Sequence, residues 1–321
     1  MSNGIIKASD VFEEMMHGFK NGKERGSTTH IPRVDGAWTW RKTDLNIWTG
    51  YQNEGKSLFL EQLMTLKSYF DGWKHGLFTP ENIPATDFYD NIIEMLIGKS
   101  CDPYYANNLM TESEYRAGYE WVNERFYLVY PEKGWDMDNI LEHFKQLITD
   151  ERVDTITIDP YNKVHHNLGG ERGDIYVSNF MSSLKRFAVE NNVAANLVAH
   201  QLTARKDDNG KYVKPDLNYI KGGGAFADAA DNVLYVWRPE RAINFSSTEV
   251  MFGSQKIKKQ KLVGIPSDIT NISFSRKQNR YYFDGVSAFK NVSLKINPTQ
   301  TSVPTMENFS NLQPENENFP F

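Results

Sequence analysis

The sequence predicts an α/β fold: a mostly parallel twisted sheet with helices on both faces and antiparallel strands added at its C-terminal end. Three observations carry that expectation. Short apolar runs recur along the chain with helical patterns between most of them, the signature of βαβ units. One of these runs leads straight into a glycine-bounded loop and then a helix, in "LNIWTGYQNEGKSLFLEQLM" at residues 45–64. After residue 238 the helical patterns stop, and strand-like runs succeed one another.

Taken in order, residues 1–35 hold one helical pattern, SDVFEEMMHGFKNG, and then the Gly-, Ser- and Thr-rich GKERGSTTHIPR. They read as an arm or linker ahead of a core at 36–292. Within the core the strand-like runs are LNIW (45–48), GLFT (76–79), FYLVY (126–130), VDTITI (153–158), ANLVA (195–199) and NVLYVW (232–237). Apolar residues at helical spacing fill 57–73, 84–97, 111–124, 136–149 and 174–191. Beyond them EVMFGSQKIKK, DITNISFS and NRYYFDG read as antiparallel strands. Residues 293–321 form the expected C-terminal tail. From 296 onward it has no Lys or Arg, is rich in Asn, Pro and Thr, and lacks periodicity, so it is expected to be disordered. There is no internal repeat.

Bulk properties narrow the class. At 321 residues the chain suits one large domain with extensions or two small ones. It begins with no apolar signal segment, and no apolar run is long enough to span a membrane. The single cysteine, Cys101, excludes an internal disulfide and fits a reducing, cytoplasmic setting. A net charge of −5 does not advertise a nucleic-acid coat protein, although a local basic surface inside a ring or groove can act despite an acidic total.

The chemistry starts at Gly50–Ser57, which fits G-x-x-x-x-G-K-[ST]. A strand, a glycine loop and a helix are the arrangement that phosphate binding requires. Backbone N–H groups of Gly50, Tyr51, Gln52, Asn53, Glu54 and Gly55, with those of the helix N-terminus, point at phosphate oxygens. Lys56 is placed to reach the β- and γ-phosphates of ATP, and Ser57 to hold Mg²⁺. Hydrolysis needs more: an acid facing the metal and a group that positions water. Both are expected at carboxyl ends of neighbouring strands. Asp159 ends the apolar TITI and suits the Mg²⁺, and Glu81 comes after GLFT. ANLVA delivers His200 and Gln201, where a polar group can sense the γ-phosphate. The next segment is polar and basic, with Arg205, Lys206, Lys211, Lys214 and Lys221, and runs into the glycines 222–224. A loop of this length inside a compact domain is usually functional or disordered. Its glycines leave backbone amides free to approach phosphate.

The order of these motifs, over residues 35 to 290, resembles the hexameric replicative DNA helicases of the RecA fold: the DnaB type, the Twinkle type and the phage helicase–primases. GYQNEGKS is similar to their Walker A element and TITIDPYN to their Walker B. FTPEN resembles the strand end whose Glu is the catalytic base, and VAHQ the motif that senses γ-phosphate. IKGGGAFADAADNVLYVWRPE resembles their DNA-binding loop with the acidic helix and Arg-ended strand next to it. That likeness assigns Lys221, Gly222 and Gly223 to DNA.

The resemblance implies a RecA-like ATP hydrolase that forms a homo-hexamer, translocates on single-stranded DNA and unwinds duplex. Lys163, Arg172, Arg205 and Lys206 join Lys221 as channel candidates. It implies adenine held between Arg238 and Phe274, and a basic pair, Lys259 and Lys261, inserted into the neighbour's site. That pair departs from the family pattern, because Lys stands where an Arg finger is expected and lacks its planar bidentate contact. One cysteine cannot build a primase-type zinc site. The expectation is therefore a stand-alone motor, phage- or plasmid-derived, with primase or polymerase as separate partners. The C-terminal PENENFPF resembles the tips with which single-strand-binding proteins dock on such partners. Two alternatives share the nucleotide motifs: a RecA/RadA-like recombinase that forms filaments, and a nucleotide-switched assembly protein that does not move on DNA.

Overall fold

One ten-stranded sheet organises the chain in a computed structural model that describes residues 5–166, 172–221 and 223–294. Its central strand, β1 (Leu45–Gly50), is buried along its whole length. A strand covered on both faces favours apolar residues at every position, and LNIW comes close: its one polar residue, Asn46, is buried and hydrogen-bonded to Trp38, Asn196 and Asn232. The chain then forms α3 (Lys56–Asp71) after two N-terminal helices, α1 (Phe12–Asn21) and α2 (Pro32–Ala37). Next come β2 (His75–Phe78), α4 (Ala85–Ile97), α5 (Glu112–Asn123), β3 (Phe126–Leu128), α6 (Met137–Asp150), β4 (Thr155–Ile158), α7 (Gly173–Glu190), β5 (Ala194–His200), α8 (Ala225–Ala229) and β6 (Asn232–Trp237). The last four strands are β7 (Glu249–Ile257), β8 (Asp268–Ser275), β9 (Arg280–Phe283) and β10 (Val286–Ser287). Across the sheet the order is β10-β9-β8-β7-β6-β1-β5-β4-β2-β3. Pairing is parallel from β6 to β3 and antiparallel from β6 to β10. The expected α/β class, with antiparallel strands at the C-terminal end, is the one that forms.

The period of two along each strand divides the core. Trp48, Val198 and Leu234 face a cluster built with α2, α3, α4 and α5, centred on Trp38, Phe59, Leu63 and Phe88. Ile47, Leu197 and Val233 face the other cluster, built with α6, α7 and α8 around Phe144, Leu184 and Phe226. Helix ends obey local chemistry. The Thr111 hydroxyl caps α5 by accepting from Glu114 N–H, and Asp136 caps α6 by accepting from Asn139 N–H. Helix α3 stops at Gly72, which adopts φ +72° and donates to the Ser68 carbonyl.

The boundary expected at 35/36 falls inside α2. Ser27 bridges Trp40, and Ile31, Val34 and Ala37 are buried beside Trp38. His30 bonds Asp71, and the Lys67 ammonium pairs with Asp71 and donates to the Thr28 carbonyl. A stretch that looks polar thus carries apolar residues at every third position, and they close one end of the core. Only α1 stands apart, with no buried residue and with Phe12, Met15 and Phe19 exposed. Among the described residues no helix is long and apolar enough to cross a membrane. Gly222 and nearly all of the expected tail, from residue 295, lie outside the described residues.

Strand order creates the functional crevice. From β1 the chain crosses to β2, three places away on one side, while β6 flanks β1 on the other. The carboxyl ends of strands at such a switch point leave an opening no loop fills.

Candidate nucleotide site and basic cleft

Residues 51–55 cap the carboxyl end of β1, and two glycines make that path possible. Gly50 has φ +149°, and a Cβ there would lie 2.3 Å from the Val236 carbonyl oxygen. Gly55 has φ +84°, and its Cβ would lie 2.2 Å from the Tyr281 hydroxyl, which donates to the Gly55 carbonyl at 3.0 Å. Side chains at either position would collide with backbone or a buried ring. Lys56 opens α3, is buried, and donates to the Tyr51 carbonyl at 2.7 Å. Burial pushes its ammonium down in pKa, against the pull of Asp159, Glu54 and Glu81.

Three further strands bring the expected partners. Asp159 comes directly after β4, and its N–H is held by the Phe78 carbonyl of β2 at 2.9 Å. Burial raises its carboxyl to about 6, although the Ser57 hydroxyl hydrogen-bonds it and Lys56 attracts it. Ser57 and Asp159 thus meet, as a shared metal requires. His200 ends β5 directly beside Gly50. Burial, together with the Lys56 and Lys221 cations, pushes the imidazole down to about 4, so it is neutral at neutral pH, and its buried Nδ1 has no partner. Gln201 is committed differently. Its amide donates to the Thr49 hydroxyl and the Asp216 carbonyl, both at 2.9 Å, and accepts from Asp216 N–H at 3.2 Å. It is a strut between β1 and the basic loop, which leaves His200 as the group free for a ligand.

Glu81 sits in the turn after β2, half-exposed, with Lys163 Nζ 3.6 Å from its Oε1. Lys163, expected on the DNA side, therefore reaches the nucleotide side. Behind Glu81 lies an acid that the sequence patterns did not mark. Glu61 on α3 accepts from Asn82 at 3.4 Å, and burial raises its carboxyl to about 8. Glu54, inside the loop, is 0% exposed; both its oxygens lack a well-aligned hydrogen-bond partner, and burial raises it to about 7.

On the antiparallel side, Arg238 leaves β6 and donates to the Ser247 carbonyl, and the N–H of Phe274 on β8 is held by the adjacent Thr248 carbonyl at 3.0 Å. The two expected adenine neighbours thus converge on one stretch of chain. Phe274 also packs on Tyr281, 5.1 Å between ring centroids. Arg241, also unmarked by any motif, donates to the Gln52 carbonyl and faces Glu54 and Lys56.

Tyr51, Gln52, His200 and Lys221 share a cleft of about 1070 Å³ with Tyr161, Asn162, His166 and Tyr176. The segment after Asp159, the start of α7 with Arg172 at its N-cap, and the loop after β5 therefore meet at one opening beside the phosphate loop. That last loop is ordered: Lys206 bridges Tyr212, Leu202 N–H donates to the Tyr219 carbonyl, and the Tyr51 hydroxyl donates to the Val213 carbonyl at 2.9 Å. Its basic residues divide. Lys211 pairs with Glu240 and Lys214 with Asp268. Arg205 lies over the Tyr219 ring and Lys206 over Tyr212. Lys221 donates its backbone N–H to the His200 carbonyl at 2.8 Å, and Gly223, at φ +88°, has open space around it.

Lys259 and Lys261 lie on the turn after β7, at the other end of the sheet. Lys259 Nζ is 3.8 Å from Asp44, just before β1. Six strand residues, about 20 Å, separate that point from the phosphate loop of the same chain.

No family model matches the sequence. The chain is 27% identical over 243 residues to the Twinkle homolog protein, chloroplastic/mitochondrial, of Arabidopsis thaliana, which covers 73% of this chain and 34% of that protein. The chain therefore spans about a third of the length of the curated relative it matches. In structure it is similar to a solved ATPase domain, with a TM-score of 0.69 and 13% identity over 88% of this chain and 99% of that one. It is also similar to a DnaB-like replicative helicase whose structure describes its interactions with primase, with a TM-score of 0.67 and 13% identity over 88% of this chain and 68% of that one. By sequence and by fold together, the chain is similar to the DnaB/Twinkle type of RecA-like ATPase domain, which bears out the resemblance read from its motifs.

Proposed function

We propose that the protein is an ATP- and Mg²⁺-dependent replicative DNA helicase that assembles as a ring and moves on single-stranded DNA. The observation that carries this reading is the gathering of Asp159, Glu81 and His200 around Lys56 of the phosphate loop, which Tyr51 and Gln201 join to a basic loop. Bound Mg²⁺·ATP supplies a phosphoanhydride bond whose hydrolysis releases free energy. Loop amides and Lys56 hold its phosphates, and Ser57 and Asp159 offer two oxygen ligands, a set that suits an Mg²⁺ completed by phosphate and water. Glu81 orients water and accepts its proton, while neutral His200 reports on the γ-phosphate position. Arg238 and Phe274 flank the base.

Movement depends on connection. His200 and Lys221 are joined by a backbone hydrogen bond, so a shift at the sensor displaces the basic loop. Arg205, Lys206 and Lys221, repeated around a ring axis, give an acidic chain a cationic channel. Two observations favour assembly. Lys259 is too far from its own phosphate loop to serve it, so a role for the turn that carries it and Lys261 in catalysis requires a neighbouring copy. The apolar stripe Phe12, Met15 and Phe19 finds no cover among the described residues, and a second copy would bury it.

The deciding experiment is ATP turnover with and without single-stranded DNA, alongside unwinding of a forked duplex and electron microscopy of the assembly. Stimulated turnover, unwinding and rings support the reading. An ATPase indifferent to DNA defeats it and favours a nucleotide-switched assembly protein, and filaments favour a recombinase. For the trans pair, Lys259→Ala or Lys261→Ala subunits mixed with Lys56→Ala subunits should regain turnover above the sum of the two alone; strict additivity refutes it. Primase or polymerase is proposed as a fork partner of residues 313–321, and deleting them should weaken that binding while turnover stays intact.

A further inference from the structure

The turn that comes after Asp159 touches two places at once. Its residues Tyr161 and Asn162 line the cleft beside the phosphate loop, while Lys163 points its ammonium at Glu81, Nζ to Oε1 3.6 Å. The register explains the encounter. Strands β2 and β4 are paired, with Phe78 opposite Ile158, so the loops leaving their carboxyl ends face each other. Lys163 makes no other ion pair among the described residues, and neither does Glu81. Side-chain exposures of 45% for Lys163 and 48% for Glu81 leave both open to solvent and to exchange of partners. At 3.6 Å the contact is charge attraction rather than a hydrogen bond, and it fixes neither geometry.

We propose that Lys163 is a positioning residue that holds the Glu81 carboxylate away from the attacking water until a phosphate of single-stranded DNA takes its ammonium. Resting on the helicase reading above, it adds to that reading a route by which DNA in the cleft switches on the base. A lysine suits this task because its charge sits on a flexible stem and can turn from carboxylate to phosphate. The strength of the hold bounds its effect. An exposed ion pair is worth at most about 1 kcal/mol, so the latch suppresses turnover by no more than about five-fold. The same competition acts on binding: an ammonium held by Glu81 is less available to phosphate, so Glu81 should weaken DNA binding by up to about five-fold.

Binding of a fluorescent oligothymidylate without nucleotide provides the first test. Glu81→Gln should tighten binding by up to about five-fold, and the gain should vanish in a Lys163→Ala background. A gain that persists there is a general charge effect and overturns the latch. Turnover is the second readout. Lys163→Ala should raise DNA-free ATPase by up to about five-fold and shrink the stimulation by DNA in proportion, while Lys163→Arg keeps both near wild type. DNA-free turnover that is unchanged or lower in Lys163→Ala overturns the proposal. Wild-type protein that neither binds the oligonucleotide nor hydrolyses ATP removes the helicase reading and the latch together. Wild-type protein that does both, with no coupling between the two positions, removes the latch alone.

Discussion

The two ends of β1 lie about 20 Å apart and treat buried charge in opposite ways. At the amino end, Asp44 and Asp231 are buried but provided for. Arg41 Nη1 and Lys259 reach Asp44, while the Lys185 ammonium, the Leu45 N–H and Lys258 reach Asp231. Burial alone would raise Asp231, but Lys185 and the Leu45 N–H more than offset it and hold the carboxyl low; Asp44 is raised by burial and by Asp231 itself. At the carboxyl end, Glu54, Glu61 and Asp159 are all held high by burial, Lys56 is pushed down, and the oxygens of Glu54 and Nδ1 of His200 lack good partners. One end pairs its buried acids with cations, although Asp44 stays raised and Arg41 Nε and the Asn232 side-chain oxygen lack partners there. The other keeps unfavourable electrostatics that stability alone does not account for, the pattern expected where a ligand completes the site.

The largest effects should come from the carboxyl end and fall on chemistry. Lys56→Ala should abolish ATP turnover, and Glu81→Gln should lower it by about 10²–10⁴-fold while nucleotide binding persists, because a positioned base acts only as water attacks. Steady-state turnover beside equilibrium binding of a fluorescent nucleotide separates the two, and wild-type turnover in Glu81→Gln would remove its assignment.

At the amino end the loss should fall on stability. Lys185→Ala strips an ion-pair partner from buried Asp231 and should cost about 3 kcal/mol near neutral pH, read by denaturant unfolding. The lowered carboxyl sets the sign: its stabilisation is present above the unfolded value of 3.8 and is lost as pH falls through the lower folded value. The gap between variant and wild type should therefore close in acid. A gap that does not depend on pH would make Lys185 a packing residue.

Substitution of Glu54 should act with the opposite sign. Its carboxyl is raised from 4.5 to about 7, so its favourable contribution is present below 4.5 and is lost as pH rises through 7. Glu54→Gln should stabilise the nucleotide-free protein by on the order of 2 kcal/mol at pH 8 and leave it unchanged below pH 4.5. Glu61→Gln should show the same course with its window extended to about 8, raising the thermal midpoint at pH 9 by on the order of 5 °C. If either substitution destabilises at alkaline pH, the contrast between the two ends fails at that residue.

Much of this was legible because the signals are local. Gly50–Ser57 compresses a strand end, a loop and a helix start into eight residues. Helical spacing placed α3 to α7 within two residues of their ends, since each must bury one face. Asp159, Glu81 and His200 could be named because a parallel sheet brings strand ends to one side. The N-terminal boundary was misplaced because Ile31, Val34 and Ala37 are sparse among polar residues, and only Trp38 and the sheet end show what they cover.

By itself, then, the sequence determined the α/β class, the order of elements and the residue types that gather at the carboxyl end of β1, since each depends on a spacing of a few residues. Tertiary structure alone decided how those residues are occupied. The Tyr281 hydroxyl on the Gly55 carbonyl spans 226 positions, Arg241 on the Gln52 carbonyl spans 189, and Lys163 meets Glu81 only because β2 and β4 are neighbours. Gln201 looked as free as His200 until its amide was found bonded on three sides. The physical reason is that periodicity records which face of an element is buried, whereas hydrogen bonds and ion pairs across the crevice depend on which strands lie side by side.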